Sequence, residues 1–255
     1  MVASWPSRET FTDRVTPYLL EAANPQPGER VLDIGCGGGK AAIEATAVVQ
    51  PGGRVVGADI SQGMVELATS RATQAKAKNV RFVATDVQTD KIAGGPFDLA
   101  MSQFGVMFFD DPVAAFANIR MHLKPGGRLV FACWQPMKRQ KWFLGPVLAP
   151  FVPPPPPPER GKSPTGPFSL ADPRATRAKL LDAGFSEVVR SPRQLVVRAE
   201  RSALGDVTLL SSSGVPTAKL AEATLAMNRY IQNFVERTGY VRFEINFQIF
   251  SAKNP

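Results

Sequence analysis

The sequence predicts an α/β protein built on a doubly wound, mostly parallel sheet. In residues 28–135, short apolar runs rich in β-branched and aromatic residues alternate with segments of helical periodicity. Such alternation is typical of parallel sheets because a helix returns the chain to the same edge between successive strands. The turn sequences PGER, PGGR and KPGGR stand directly before three of the apolar runs and indicate where these strands begin.

Five strands and three helices are predicted in this first half. The predicted strands are Arg30–Ile34, Arg54–Asp59, Val80–Thr85, Phe97–Phe104 and Arg128–Trp134. The helices between them are Lys40–Val49, Gly63–Ala77 and Pro112–Leu123. Ser61 stands at the N-cap position before the second helix.

The second half is predicted to be less regular. Residues 136–171 contain the run Pro153–Pro158, which favours a stiff connector because proline fixes φ and has no N–H donor. The elements expected after it are a helix at Asp172–Ala183, a strand at Glu187–Val197, helical segments over about 201–237 and a last strand at Arg242–Ser251. Apolar and polar residues alternate in the last strand, which predicts an antiparallel strand at or near an edge, with Gln248 on its polar face.

Composition excludes several classes of protein. Two cysteines and one histidine are too few for a disulfide scaffold or a typical metal site, so we expect no metal. No apolar run approaches the length of a membrane span, and the first residues, MVASWPSRETFTDR, lack an apolar signal-like run. We therefore expect a cytoplasmic protein. The net charge of +8 comes from scattered residues, which favours a solvated basic surface over a nucleic-acid interface.

The segment VLDIGCGGGKAA, residues 31–42, predicts a ligand-binding loop at the end of the first strand. Glycines let the backbone approach a ligand without Cβ clashes, and doubly wound sheets bind ligands at this edge. A phosphate-binding P-loop is excluded because Ala41 follows Lys40 where Ser or Thr is required. The dinucleotide pattern fits only in a shifted register that begins at Gly37, whereas the pattern acidic-x-Gly-x-Gly-x-Gly fits in full from Asp33.

That last pattern resembles the first motif of class I S-adenosylmethionine-dependent methyltransferases. The segments GADIS, ATDV, FDLAMSQFGVMFFDDP and LKPGGRLVFACW follow in the same order and are similar to the methyltransferase type 11 and 25, UbiE-like small-molecule subgroup. The resemblance implies a Rossmann-like seven-stranded sheet with an antiparallel last strand and a helical lid insertion. It also implies four regions: an N-terminal helical cover (1–27), an S-adenosylmethionine-binding core (28–135), the Pro-rich connector (136–171) and a C-terminal completion of the sheet (172–255) with lid helices at about 201–237.

The resemblance assigns roles at the cofactor site. Asp59 is expected to bind the ribose hydroxyls, Met64 to lie along the adenine, and Asp86 with Val87 to contact the adenine edge. Cys36 is expected to be a small loop residue rather than a nucleophile. The full set of predicted cofactor-binding residues is Asp33, Gly35, Cys36, Gly37, Gly39, Asp59, Ile60, Met64, Asp86, Val87 and Gln103.

The ends of strands four and five are apolar, which predicts a pocket for a hydrophobic or aromatic acceptor. The predicted pocket residues are Phe104, Met107, Phe108 and Trp134. Gln103 and Asp110 are weak catalytic candidates. Asp110 and Asp111 are, however, favoured as caps of the helix that begins near Pro112. The single histidine, His122, is predicted to be structural. We expect methyl transfer to a small molecule driven mainly by positioning in a dry pocket.

Three alternatives remain open at this stage. GGGKAA and Asp59 also fit an NAD(P)-dependent oxidoreductase, and the net charge of +8 fits a nucleic-acid methyltransferase. A cofactor-binding subunit without catalysis fits the absence of an obvious acid or base. The expected partner is a small-molecule acceptor, without nucleic acid and without a membrane span, and the chain is either a monomer or a homodimer.

Overall fold

A seven-stranded sheet forms the centre of the computed structural model, which describes residues 12–141, 143–153, 165–200, 210 and 214–255. Its strands are β1 (Arg30–Ile34), β2 (Arg54–Asp59), β3 (Val80–Ala84), β4 (Phe97–Gln103), β5 (Leu123–Trp134), β6 (Ser186–Glu200) and β7 (Tyr240–Lys253). The described helices are α1 (Thr16–Ala23), α2 (Lys40–Val48), α3 (Gln62–Gln74), α4 (Pro112–Met121), α5 (Gly145–Leu148), α6 (Pro173–Asp182) and α7 (Leu220–Gln232). Within this part of the chain, no helix combines the length and apolar character needed to cross a membrane.

The sheet order is β3-β2-β1-β4-β5-β7-β6. Strands β1 to β5 pair in parallel, whereas β7 is antiparallel to both of its neighbours. This arrangement confirms the predicted doubly wound, mostly parallel sheet with an antiparallel last strand. The chain reverses its direction of winding between β1 and β4, and a crevice therefore lies at their carboxyl ends.

Strands β5 and β7, the last strands of the parallel and antiparallel parts of the sheet, can be compared with their predictions. β5 begins at Leu123, five residues before the prediction, because the KPGG segment continues the strand and Leu123 pairs with Phe97. β7 lies between β5 and β6, next to the edge, in agreement with the prediction of an antiparallel strand at or near an edge. Gln248, predicted on the polar face of this strand, is buried: Leu170 and Ala171 cover that face, and the Gln248 Nε2 donates to their carbonyls.

Helix α1 is fixed against the sheet by Arg128 of β5. The Arg128 guanidinium donates to the carbonyls of Ala23 and Asn24 and pairs with Glu29 at 2.7 Å. The helix packs across β4, β5 and β7 and against α2. It therefore covers the face of the sheet onto which Asp33 and Gln103 project, since paired residues of adjacent parallel strands point to the same side.

Strands β6 and β7 continue past the end of β5 at the carboxyl edge. Gln194–Glu200 pairs with Tyr240–Asn246, whereas β5 ends where Trp134 pairs with Phe247. Helix α7 buries Ala223, Met227 and Ile231 in this region. Of the predicted lid helices at about 201–237, the described part comprises a 3-10 helix, Thr217–Lys219, and α7.

Parts of three predicted regions lie outside the described residues. These parts are residues 1–11 of the N-terminal cover, 142 and 154–164 of the connector, and 201–209 with 211–213 of the lid helices. The described part of the connector contains a 3-10 helix, Met137–Arg139, and the short helix α5.

Candidate active site

In the loop after β1, every second residue from Gly35 to Gly39 has a left-handed backbone φ. Gly35, Gly37 and Gly39 have φ of +62°, +52° and +82°, values that residues with a Cβ rarely adopt. Gly38 has no such left-handed φ. The three positions of the predicted pattern are therefore the three that need glycine, and α2 begins directly after Gly39.

The loop after β1 and the turn after β4 are in close contact. A Cβ added to Gly35 would lie 2.7 Å from the Cα of Gly105, and one added to Gly105 would lie 2.6 Å from the Ile34 carbonyl oxygen. Ser102 holds the two segments together: its Oγ donates to the Ile34 oxygen at 2.7 Å and accepts from the Gly105 N–H at 3.2 Å. Ser102 and Gly105 were not predicted as site residues.

Asp33 is a buried carboxyl group with one unpartnered oxygen. The residue is 1% exposed, and its Oδ2 makes no hydrogen bond. Burial raises the pKa of Asp33; a hydrogen bond from the Ala42 backbone opposes this rise, the nearby Asp59 adds to it, and the net value is about 8. At neutral pH the carboxyl group is therefore largely neutral until a donor or a cation reaches it.

Asp59, at the end of β2, connects the second strand to the glycine loop. Its carboxylate accepts from the N–H of Gly37 at 2.9 Å and from the N–H of Ser61 at 2.9 Å, while Ser61 occupies the N-cap position of α3 as predicted. Burial, together with the charges of Asp33 and Asp59, raises the pKa of the Cys36 thiol well above its usual range. Cys36 is thus a protonated, buried thiol, which disfavours a nucleophilic role.

The edge beyond β2 presents one apolar side chain and buries another. Ile60 is 76% exposed beside Asp59, whereas Met64 is 1% exposed and offers a ligand almost no accessible surface. This burial disfavours the expected contact of Met64 with the adenine. After β3, the half-buried Asp86 accepts from the Gln88 N–H at 2.9 Å, and Val87 is buried next to it.

Phe82 of β3 supports the glycine loop from below and was not predicted. A Cβ on Gly39 would lie 2.9 Å from the Phe82 ring, and one on Gly57 of β2 would lie 2.4 Å from it. The ring therefore packs closely against two glycines, a contact that the sequence spacing does not reveal.

On the β4 and β5 side, an aromatic pair lies at the carboxyl edge. Phe104 follows β4 with φ of +65°, and its ring stacks on Trp134 with 3.9 Å between centroids and 17° between planes. Met107 is buried with these two rings in the same hydrophobic core. Phe108 was predicted in the same pocket but is 59% exposed, because its short 3-10 turn directs it outward.

The two weak catalytic candidates occupy different environments. Gln103 is half-buried: its Nε2 donates to the Thr12 carbonyl at 2.9 Å, while its Oε1 is buried without a hydrogen-bond partner. Asp110 is exposed, and its neighbour Asp111 caps α4 by accepting from the N–H groups of Val113 and Ala114.

His122 ends α4 and is bonded through both ring nitrogens. Its Nε2 accepts from the Ile92 N–H at 2.9 Å, and its Nδ1 lies 2.8 Å from the Asn118 carbonyl, which requires the Nδ1–H tautomer. Within the described ranges, His, Cys, Asp and Glu side chains form no group able to hold a metal ion.

The charges of the loop favour a cationic ligand over a phosphate. Lys40, the cation that a phosphate-binding loop would use, pairs with Glu44 at 2.7 Å and lies 3.9 Å from Asp13. Two carboxyl groups, Asp33 and Asp59, lie near the loop, and the charge of Asp59 contributes to the raised pKa of Asp33. The fold and the site together define a carboxyl-edge binding site suited to hydroxyl, amino and cationic groups.

Comparison with known proteins identifies the family. Residues 31–127 match the family model described as a methyltransferase domain. The aklanonic acid methyltransferase DauC of Streptomyces sp. is 37% identical over 137 residues, which are 53% of this chain and 61% of that protein. The nocamycin O-methyltransferase of Saccharothrix syringae is 31% identical over 197 residues, which are 74% of this chain and 70% of that protein. The chain belongs to the class I S-adenosylmethionine-dependent methyltransferase family.

A solved structure agrees with this fold. The YcgJ protein of Bacillus subtilis superposes with a TM-score of 0.63 at 17% identity, covering 94% of this chain and 98% of that one. S-adenosylmethionine is the cofactor of the family to which the chain belongs.

Proposed function

We propose that this chain transfers a methyl group from S-adenosylmethionine to a small hydrophobic or aromatic acceptor. The observation that carries the proposal is the unpartnered, buried Asp33 oxygen directly beneath a loop of three left-handed glycines. A buried acceptor without a partner is costly unless a ligand supplies a hydrogen bond.

The residues at the carboxyl edge fit this cofactor. S-adenosylmethionine supplies a methyl group already activated by a positively charged sulfur. The Asp33 oxygen would accept from an amino group, and the Asp59 carboxylate has lone pairs free for ribose hydroxyls besides the two it uses. Ile60 offers apolar surface for a ring, and Asp86 with Val87 stands at the next strand end.

Electrostatics favours this cofactor over a dinucleotide. The Asp59 carboxylate stabilises a positive ligand and repels the negative pyrophosphate of NAD(P), and Asp33 adds a second negative charge once a bound cation has displaced its proton. Because Asp33 has a raised pKa, a cation bound beside it would release a proton from the carboxyl group. Binding of a cationic cofactor should therefore strengthen as the pH rises towards about 8.

The acceptor is proposed to lie on the β4 and β5 side, against Phe104, Met107 and Trp134. These apolar side chains exclude water, and Gln103, with its unpartnered Oε1, can orient a hydroxyl donor. Positioning and desolvation would supply most of the rate, since the described side chains on this side of the edge include no activated base. The relatives named for aklanonic acid and nocamycin support a small-molecule acceptor.

A methyl-transfer assay tests the proposal. The purified chain is incubated with S-adenosylmethionine labelled in its methyl group and a panel of hydroxylated aromatic compounds, and labelled products are identified by mass spectrometry. We expect transfer by the wild-type chain and none by Gly35→Val, because a Cβ at Gly35 would collide with Gly105. Transfer to RNA but to no small molecule would support the nucleic-acid alternative instead.

A further inference from the structure

Phe104 has a strained backbone that its surroundings maintain. A bulky residue with φ of +65° is unusual and costs energy unless neighbouring contacts fix it. Its N–H donates to the Ala132 carbonyl at 3.0 Å. A Cβ added to the next residue, Gly105, would lie 2.6 Å from the Ile34 oxygen and 2.8 Å from the Gly35 Cα, so the turn packs directly against the loop after β1.

The strained backbone places the Phe104 ring over one face of Trp134. The rings are nearly parallel at 3.9 Å, and the two residues are 7% and 5% exposed. Trp134 is the last residue of β5, and the ribbon of β6 and β7 continues past it. The pair lies on the β4 and β5 side of the crevice, opposite Asp59 and β3. This is the side on which we place the acceptor.

We propose that Phe104 is a specificity-determining residue that limits the size of the acceptor. Its ring occupies the face of Trp134 on which a further ring of a planar acceptor would stack. Parallel stacking on an indole is favourable, so a molecule that reached this face would bind more tightly. Phe104 thereby selects compact acceptors against larger planar ones. This inference rests on the proposed function.

Two substitutions remove the ring without adding backbone strain. Glycine adopts a left-handed φ freely, and asparagine does so more readily than most residues, so Phe104→Gly and Phe104→Asn should retain the turn. Phe109→Leu is the control because it removes a nearby phenylalanine ring that does not stack on Trp134. Phe109 has an ordinary φ of −67°, and its ring lies edge-to-face with Phe116, with 6.2 Å between ring centroids. Thermal unfolding verifies that all three variants fold.

The measurement is the binding preference between two planar probes, 2-naphthol and the larger 1-hydroxyanthraquinone, by calorimetry in saturating S-adenosylhomocysteine. Loss of the Phe104 ring should shift the affinity ratio towards the larger probe by about tenfold, the equivalent of 1.4 kcal/mol. Phe109→Leu should leave the ratio at its wild-type value.

The outcomes separate this inference from the proposed function. Two outcomes contradict the role of Phe104 if S-adenosylhomocysteine still binds. One is an unchanged affinity ratio in both Phe104 variants; the other is that no protein, wild type or variant, binds either probe. Failure of the wild-type chain to bind S-adenosylhomocysteine contradicts the proposed function itself. A shift in one folded Phe104 variant is sufficient support if the other does not fold.

Discussion

Asp33→Asn tests whether the loop contains a buried, largely neutral carboxyl group. The pKa of Asp33 is about 8 in the folded chain against 3.8 for an ordinary aspartate. Between these values the unfolded chain loses its proton while the folded chain keeps it, so the free energy of unfolding falls as the pH rises. The slope approaches about 1.4 kcal/mol per pH unit, and the total is on the order of 5 kcal/mol. Asparagine does not titrate and removes this dependence.

The assay is urea unfolding of both proteins without cofactor at intervals from pH 5 to pH 9. The stability of wild type relative to Asp33→Asn should be highest at the acid end, fall through neutrality and level off above pH 8. Removing the neighbouring charge by Asp59→Asn should lower the pKa of Asp33, so that the decline ends at a lower pH. Parallel stability curves for wild type and Asp33→Asn would refute the reasoning.

Three further predictions concern the glycine loop, the Asp59 carboxylate that bonds to it, and the cap of α4. Gly35→Ala should weaken S-adenosylhomocysteine binding by at least about tenfold, because the added Cβ strains a left-handed φ and collides with Gly105. Gly38→Ala should change the same affinity less than about threefold, and calorimetry measures both. Asp59→Asn should also weaken binding by about tenfold or more, because a carboxylate that orders the loop loses its charge; wild-type affinity would count against this role. Asp111→Ala should lower stability by about 1 kcal/mol through loss of the α4 cap, with methyl transfer unchanged, as thermal unfolding and the activity assay can show.

The sheet and the glycine loop were predictable because their signals are local. Apolar runs, turn sequences and helix-period segments each lie within a few residues, and the sheet they predicted is confirmed. The glycine spacing likewise predicted a ligand-binding loop, and the three glycines of its pattern, Gly35, Gly37 and Gly39, are the ones with a left-handed φ. The roles assigned to individual cofactor-binding residues stay predictions.

What the sequence did not predict depends on contacts between distant segments. The bond from Ser102 to Ile34 and the close approach of Gly105 join residues about 70 positions apart. The left-handed φ of Phe104 is imposed by that tertiary contact and opposes the local preference of phenylalanine. Gln248 is buried only because Leu170 and Ala171 cover its face of the sheet.

The central claim is that the glycine loop and its two aspartates hold S-adenosylmethionine rather than a dinucleotide. Its most direct test is calorimetric titration of the full chain with S-adenosylhomocysteine and, separately, with NAD⁺. The structure predicts saturable one-to-one binding of S-adenosylhomocysteine and no heat of binding with NAD⁺. Binding of NAD⁺ in preference to S-adenosylhomocysteine, or binding of neither, would contradict the account.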